Sequence, residues 1–308
     1  MAAQIHPMKF LYCSIFSLFC FLTFAQHKTG RPGGIPIPNY DAAVNYESYK
    51  SMKNDKTRKI DSVGSLIVKN DTLILITGYK MPKGVKVPYE PKDSTFLAVY
   101  KELVYNKSNQ KANSTSKPMM KLWKDEIKVY FDSTVTSSQK REMTKFFKYL
   151  DKEVDSLKIR VVYKKEKSNY FIYFINKPTD INWDDRIAGN DGAYMSWNGR
   201  QRIYNASLKL DTQKIFNEKQ QTMLLKKHFI TTLGNFFLQN KRDCKSFLSN
   251  CTSTDKELTT EDLAILKYHY SYGICKGTDL KTFEENHRSA QELLRKNPHY
   301  KFAFTHVD

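Results

Sequence analysis

The run Leu225-Lys226-Lys227-His228-Phe229-Ile230-Thr231-Thr232-Leu233-Gly234 decides how the rest of the chain is read. Leu225, Phe229, Leu233 and Phe236 recur at spacings of four, four and three, the period of a helix face packed on a core. That spacing predicts a long helix over 217–238. Gly234 reads either as a helix stop or as an interior glycine.

Working outward, Asn198-Gly199 between Ala193–Trp197 and Arg200–Leu210 is a strong hairpin signal. Before it, Tyr170–Ile175, Leu157–Tyr163 and Ile127–Phe131 read as strands. Between the latter two, Ser137 or Ser138 caps a helix with its apolar stripe at Met143, Phe146, Phe147, Leu150 and Val154. Downstream, Thr259 or Thr260 caps a helix through Tyr270, with Glu261 and Asp262 suited to its positive end. A last helix over Leu280–Lys296 stops before Pro298. The fold class expected is α+β: a mixed sheet with an antiparallel edge hairpin, a long central helix and C-terminal helices.

The N-terminal part is smaller. Leu66-Ile67-Val68 and Leu73–Ile76 flank Asn70-Asp71 as a second hairpin, and Asp93-Ser94 N-caps a helix through Tyr105. The organisation expected is a signal peptide (1–25), a Pro/Gly-punctuated leader (26–45), a small β/α segment (46–105), a linker (106–118), the main domain (119–285), and a C-terminal helix and tail (286–308).

Export is read from the first residues. Lys9 precedes the charge-free run Phe10–Leu22, and Thr23 and Ala25 place small side chains for a cut after Ala25. A secreted, periplasmic or cell-envelope protein is the expectation, with no transmembrane segment in the mature chain. The net charge is +18, from 50 basic and 32 acidic residues, with Lys well ahead of Arg. Such a surface is either ordinary solvated lysine or a match for an anionic envelope component, while export argues against nucleic acid. Cys13 and Cys20 leave with the signal. Cys244 and Cys251 are then the disulfide candidate, with Cys251–Cys275 as the alternative.

The ordered set of strand, edge hairpin, long helix and capped helix resembles the zincin fold of metallopeptidases in its metzincin branch. The residues carrying this are Trp123–Val129, Ser168–Phe174, Gly192–Tyr194 with Ile203–Leu210, Leu225–Gly234 and Leu258–Tyr268. The chain is similar in particular to an uncharacterised family of exported zincin-like proteins that also lack the metal motif. Active members place two His at i and i+4 on one helix, a general-base Glu after the first, and a Gly before a third His. Set on Gly234, those positions hold Lys227, His228, Thr231 and Phe237. The resemblance therefore implies a degenerate site with no zinc and no cofactor. A rescue through His228, His269 and Glu218 is the remaining metal arrangement.

Other chemistry is thin. Asp184-Asp185 and Asp191 could form a calcium loop, though Gly189-Asn190-Asp191-Gly192 is more simply a turn. There is no G-x-S-x-G elbow and no Gly-rich phosphate loop. Tyr194, Trp197, Arg200, Arg202 and Tyr204 on the edge hairpin are the binding-cleft candidates, where a peptide or protein could add a strand. Their alternative role is to shield an edge. The function expected is a non-catalytic binding or scaffold module of the cell envelope. The alternatives are a peptidase or hydrolase around His228, and a basic surface protein for acidic glycan or lipid.

Overall fold

The computed structural model of the chain describes residues 42–46, 49–50, 53, 61–68, 71–78, 85–109, 117–271, 274, 276–296 and 303–306. The expected signal peptide with its expected cut after Ala25, the expected leader up to residue 41, and Cys275 lie outside these residues. The chain is mixed α and β, in two compact units: 1–89 with 285–308, and 90–284.

In the smaller unit, β1 (Ala42–Asn45), β2 (Asp61–Val68) and β3 (Asp71–Thr77) form an antiparallel sheet ordered β1-β3-β2. Val68 pairs with Asp71, so β2 and β3 form an antiparallel hairpin. A separate pair joins β4 (Val85–Pro88) to β11 (Ala303–His306). That pairing brings the C-terminal tail into the N-terminal unit.

The larger unit is built on a second sheet. Its elements are α1 (Ser94–Tyr105), β5 (Leu122–Trp123), β6 (Ile127–Phe131), α2 (Ser137–Glu153), β7 (Ile159–Val161), β8 (Tyr170–Ile175), β9 (Asp191–Trp197), β10 (Arg202–Asp211), α3 (Glu218–Thr232) and α4 (Thr260–Tyr270). The sheet order is β5-β10-β8-β6-β7, with β9 added beside β10. Neighbours run parallel except β9, which is antiparallel to β10. Helix α5 (Leu280–Lys296) follows.

One face of this sheet makes the core. Ile127, Val129 and Phe131 alternate inward on β6, and Tyr170, Ile172 and Phe174 do so on β8. They meet Met143, Phe147 and Leu150 of α2 and Leu225, Phe229 and Ile230 of α3. On α2 the cap is Thr136, one residue before the expected serines. On α3 the Asn217 side chain accepts from the Gln220 N–H.

Three expectations differ in extent. α1 belongs to the larger unit rather than to the N-terminal segment: Tyr100 packs edge-on against Tyr268 at 4.8 Å and hydrogen-bonds His269. β7 keeps only three of the residues expected between Leu157 and Tyr163. α3 ends at Thr232, because Asn235 turns left-handed at φ 52° and the last carbonyls find other partners. The Trp123 indole donates to the Thr232 carbonyl at 3.1 Å, and the Tyr270 hydroxyl donates to Leu233 at 2.6 Å.

Candidate functional site

The site grows from the packing of α3. Leu225, Phe229 and Thr232 are buried toward the sheet, so helical spacing leaves Lys227, His228 and Thr231 on a half-buried face beside β9. β9 is the sheet's edge, paired among the described residues with β10 alone. Its alternation points Asp191, Ala193, Met195 and Trp197 one way and Tyr194 the other. Met195 enters the core, and Asp191 meets α3.

That meeting is polar. The His228 Nε2–H donates to Asp191 Oδ2 at 2.5 Å, since an ionised carboxylate can only accept. The hydrogen bond from His228 holds the Asp191 carboxyl below its ordinary range, against the opposing effect of burial. Lys227 stands next to the pair. Burial pushes its ammonium pKa down, and the Asp191 charge pulls it back up. Thr231 Oγ1 donates to the Lys227 carbonyl, a bond within the helix. Phe237 lies beyond the turn, its N–H donating to the Leu103 carbonyl at 2.7 Å.

These four positions do not fit a zinc ion. An ammonium, a hydroxyl committed to its own helix and a phenyl ring offer no ligand set, and the one imidazole is committed to a carboxylate. Among the described residues, no three His, Cys, Asp or Glu side chains gather to hold a metal. His269, the alternative partner for His228, is elsewhere. It is fully buried, with Nδ1 accepting from the Tyr100 hydroxyl at 3.0 Å and Nε2–H donating to the Lys121 carbonyl at 2.8 Å. Burial drives its pKa down to about 3, so it is held neutral.

Gly234 has a structural reason of its own. A Cβ there would stand 2.6 Å from the Phe236 ring and 2.9 Å from His269 Nε2. The residue is small so that Phe236 and His269 can close over the helix end at a ring separation of 4.9 Å.

The hairpin residues divide between the two sides of the strand. Trp197 faces the α3 side, with the Lys121 ammonium 4.6 Å from its ring centre. Trp197, Gln201, Lys121, Met119, Phe237 and Asp279 line an open pocket of about 520 Å³. Tyr194 faces the opposite side, under the Arg186 guanidinium at 3.8 Å. Arg200 is exposed at the tip, Arg202 is half-buried, and Tyr204 is exposed next to a bulge in the ladder. The turn is longer than its Asn-Gly signal implies. Asn198 Oδ1 accepts from the N–H groups of Arg200 and Arg202, and Gln201 takes the left-handed conformation at φ 60°.

The acidic residues weighed for calcium are spent separately. Asp184 makes a two-pronged ion pair with Arg186 at 2.7 and 2.9 Å, which holds its carboxyl below the ordinary range. Asp185 accepts from Asn182, and Asp191 from His228. Cys244 and Cys251 are joined in a disulfide. Within that loop, the Lys256 ammonium donates to the carbonyls of Cys244, Ser246 and Ser249 at 3.0 to 3.1 Å. Asp262 accepts from Arg242, from Ser246 Oγ and from the Phe247 N–H, tying the same loop to α4. Sequence offered Asp262 only as a helix-dipole residue. Its second role rests on contacts 15 to 20 residues away.

No helix among the described residues is long and apolar enough to cross a membrane. Neither a protein-family model nor a curated protein matches this chain.

Proposed function

We propose that this chain is an exported zincin-like protein whose metal site is degenerate and which binds an extended peptide along its edge strand. The observation that carries the proposal is the position of β9. It is antiparallel, has a single neighbour among the described residues, and runs beside the α3 face bearing Lys227 and His228. An edge strand of this kind offers unpaired backbone groups to a peptide, and the pocket beside Trp197 and Phe237 offers a place for one of its side chains.

The zincin reading is supported by the order of elements: strand, helix, two strands, antiparallel edge hairpin, long helix, capped helix. Lys227 supports the degenerate half of it, since a cation at the first ligand position repels zinc. Hydrogen exchange in the presence of unstructured peptides tests the binding role. Amides of residues 191–197 should gain protection, and Trp197→Ala should weaken that gain. A diverse peptide set that leaves β9 unprotected removes the proposal.

One observation favours a second reading. His228 is an imidazole oriented by a carboxylate and partly open to solvent, the arrangement of a general base. A metal-free hydrolase using this pair would lose peptide cleavage in His228→Ala. The binding reading expects no cleavage in either protein.

A further inference from the structure

The opposite edge of the large sheet carries a groove that is distinct from the β9 cleft and independent of the zincin reading. It lies between α2 and β7 and has a volume of about 630 Å³. Lys140, Arg141, Lys145 and Lys148 line it, and no carboxylate does. Arg141, Lys145 and Lys148 follow at i, i+4 and i+7, one face of α2, over a length of about 10 Å. Of the four, Lys145 is paired with Glu142 at 2.9 Å. Among the described residues the other three have no ion-pair partner.

The remaining wall is aromatic and hydroxylic. Tyr163 is 93% exposed and makes no ring contact among the described residues. Phe131 and Val162 lie at the floor, and Ser133 adds a hydroxyl. An exposed aromatic ring beside a row of cations offers an apolar face on which a sugar ring can stack. A concave site lined by one sign of charge concentrates the opposite sign.

We propose that this groove binds an acidic polysaccharide, its carboxylate or sulfate groups along the α2 cations and a sugar ring against Tyr163. Three of the four cations are lysine, which acts as a point charge. A row of such charges suits singly charged groups spaced along a chain, whereas one phosphate held in a fork favours arginine. The run of charge on α2 matches the reach of a disaccharide.

Titrations by fluorescence anisotropy with labelled polygalacturonate, a sulfated oligosaccharide of the heparin type and neutral dextran test this. The acidic sugars should bind, with affinity falling as salt rises, and dextran should not. The triple variant Arg141→Gln/Lys145→Gln/Lys148→Gln should lose about tenfold or more in affinity. A control of equal charge change, Lys158→Gln/Lys177→Gln/Lys214→Gln, should stay within about twofold. Tyr163→Ala should weaken binding without altering its salt dependence. Equal losses in the two triple variants would mean diffuse attraction by the whole surface and overturn the proposal. So would an absence of binding to both acidic sugars, or groove-dependent binding to anionic phospholipid vesicles alone. Melting temperatures of the exposed-residue variants, matched to the parent chain, separate loss of contact from loss of fold.

Discussion

The imidazole of His228 and the carboxylate of Asp191 fasten the middle of α3 to the first residue of β9 across 2.5 Å. Asp191 also pairs with Leu210 of β10, so this bond fixes the end of the edge strand relative to both of its supports. Removing it by His228→Ala or Asp191→Asn should cost about 1–2 kcal/mol of stability, since the bond is charge-assisted but partly solvated. The two changes should be non-additive in a double-mutant cycle. The sign with pH follows from the lowered Asp191 pKa. Its contribution is complete above the ordinary carboxylate value of 3.8 and is lost as pH falls through the lower folded value. Chemical denaturation between pH 5 and pH 2 (roughly the carboxylate range) checks this, and an unchanged acid limb in Asp191→Asn would contradict it.

His269 contributes with the same sign but over a higher pH range. It is neutral in the folded chain because burial lowers its pKa from 6.5 to about 3, while the unfolded chain takes up a proton near the ordinary value. Between those two values the unfolded state binds more protons, so stability should decline as pH falls from 6.5 toward 3. The decline should reach a few kcal/mol at the acid end. Replacing His269 by Gln keeps a donor and an acceptor and should flatten this slope, at the expense of some packing against Phe236. Denaturation midpoints measured across that range in both proteins decide it. A parallel slope in His269→Gln would show that other groups carry the acid sensitivity.

The contrast between these histidines shows where sequence reading stops. Alternation in Ile127–Phe131 gave one strand, because a period of two reports which side of a sheet is buried. The unbroken aromatic and β-branched run Tyr170–Ile175 gave another, buried on both faces. The hairpin and the caps at Asp93 and Thr259 were local and therefore legible. The two-residue β5 and the β4–β11 pair were not, since one is too short to show a period and the other joins residues more than 200 apart. The end of α3 misled for the same reason: Trp123 and Tyr270, far away in sequence, accept the task of capping it. His228 and Asp191 were each noticed, one for zinc and one for calcium. Their contact spans 37 residues and depends on β9 being the edge strand, which no local pattern encodes.

Gly234 should be intolerant of the smallest change. An added methyl would enter the Phe236 ring and the His269 imidazole, both closer than van der Waals contact allows. His269 is held at both nitrogens and the Phe236 ring is buried, so either must repack to make room. Gly234→Ala should therefore destabilise by roughly 1–3 kcal/mol, the usual range for overpacking. Asn235→Gly, at the left-handed position one residue later, should be neutral or stabilising. Urea midpoints for the pair check the assignment. A tolerated alanine at 234 would mean that the helix end can shift to accommodate it.

The disulfide and Lys256 hold one loop by two different means, and their removal should reveal it. The Cys244–Cys251 bridge limits the unfolded chain over a sequence separation of 7. Its replacement by Cys244→Ser/Cys251→Ser should cost about 2–3 kcal/mol. Lys256 acts in the folded state, its ammonium satisfying the three loop carbonyls of Cys244, Ser246 and Ser249. Lys256→Met keeps the stem and leaves those oxygens unpaired in a buried setting, at a cost of about 2–4 kcal/mol. Because both devices order the same residues, the combined variant should lose less than the sum of the two. Guanidinium unfolding of the three variants measures the coupling. Strict additivity would show that the loop carbonyls find water as readily as they find Lys256, and that the bridge alone shapes the loop.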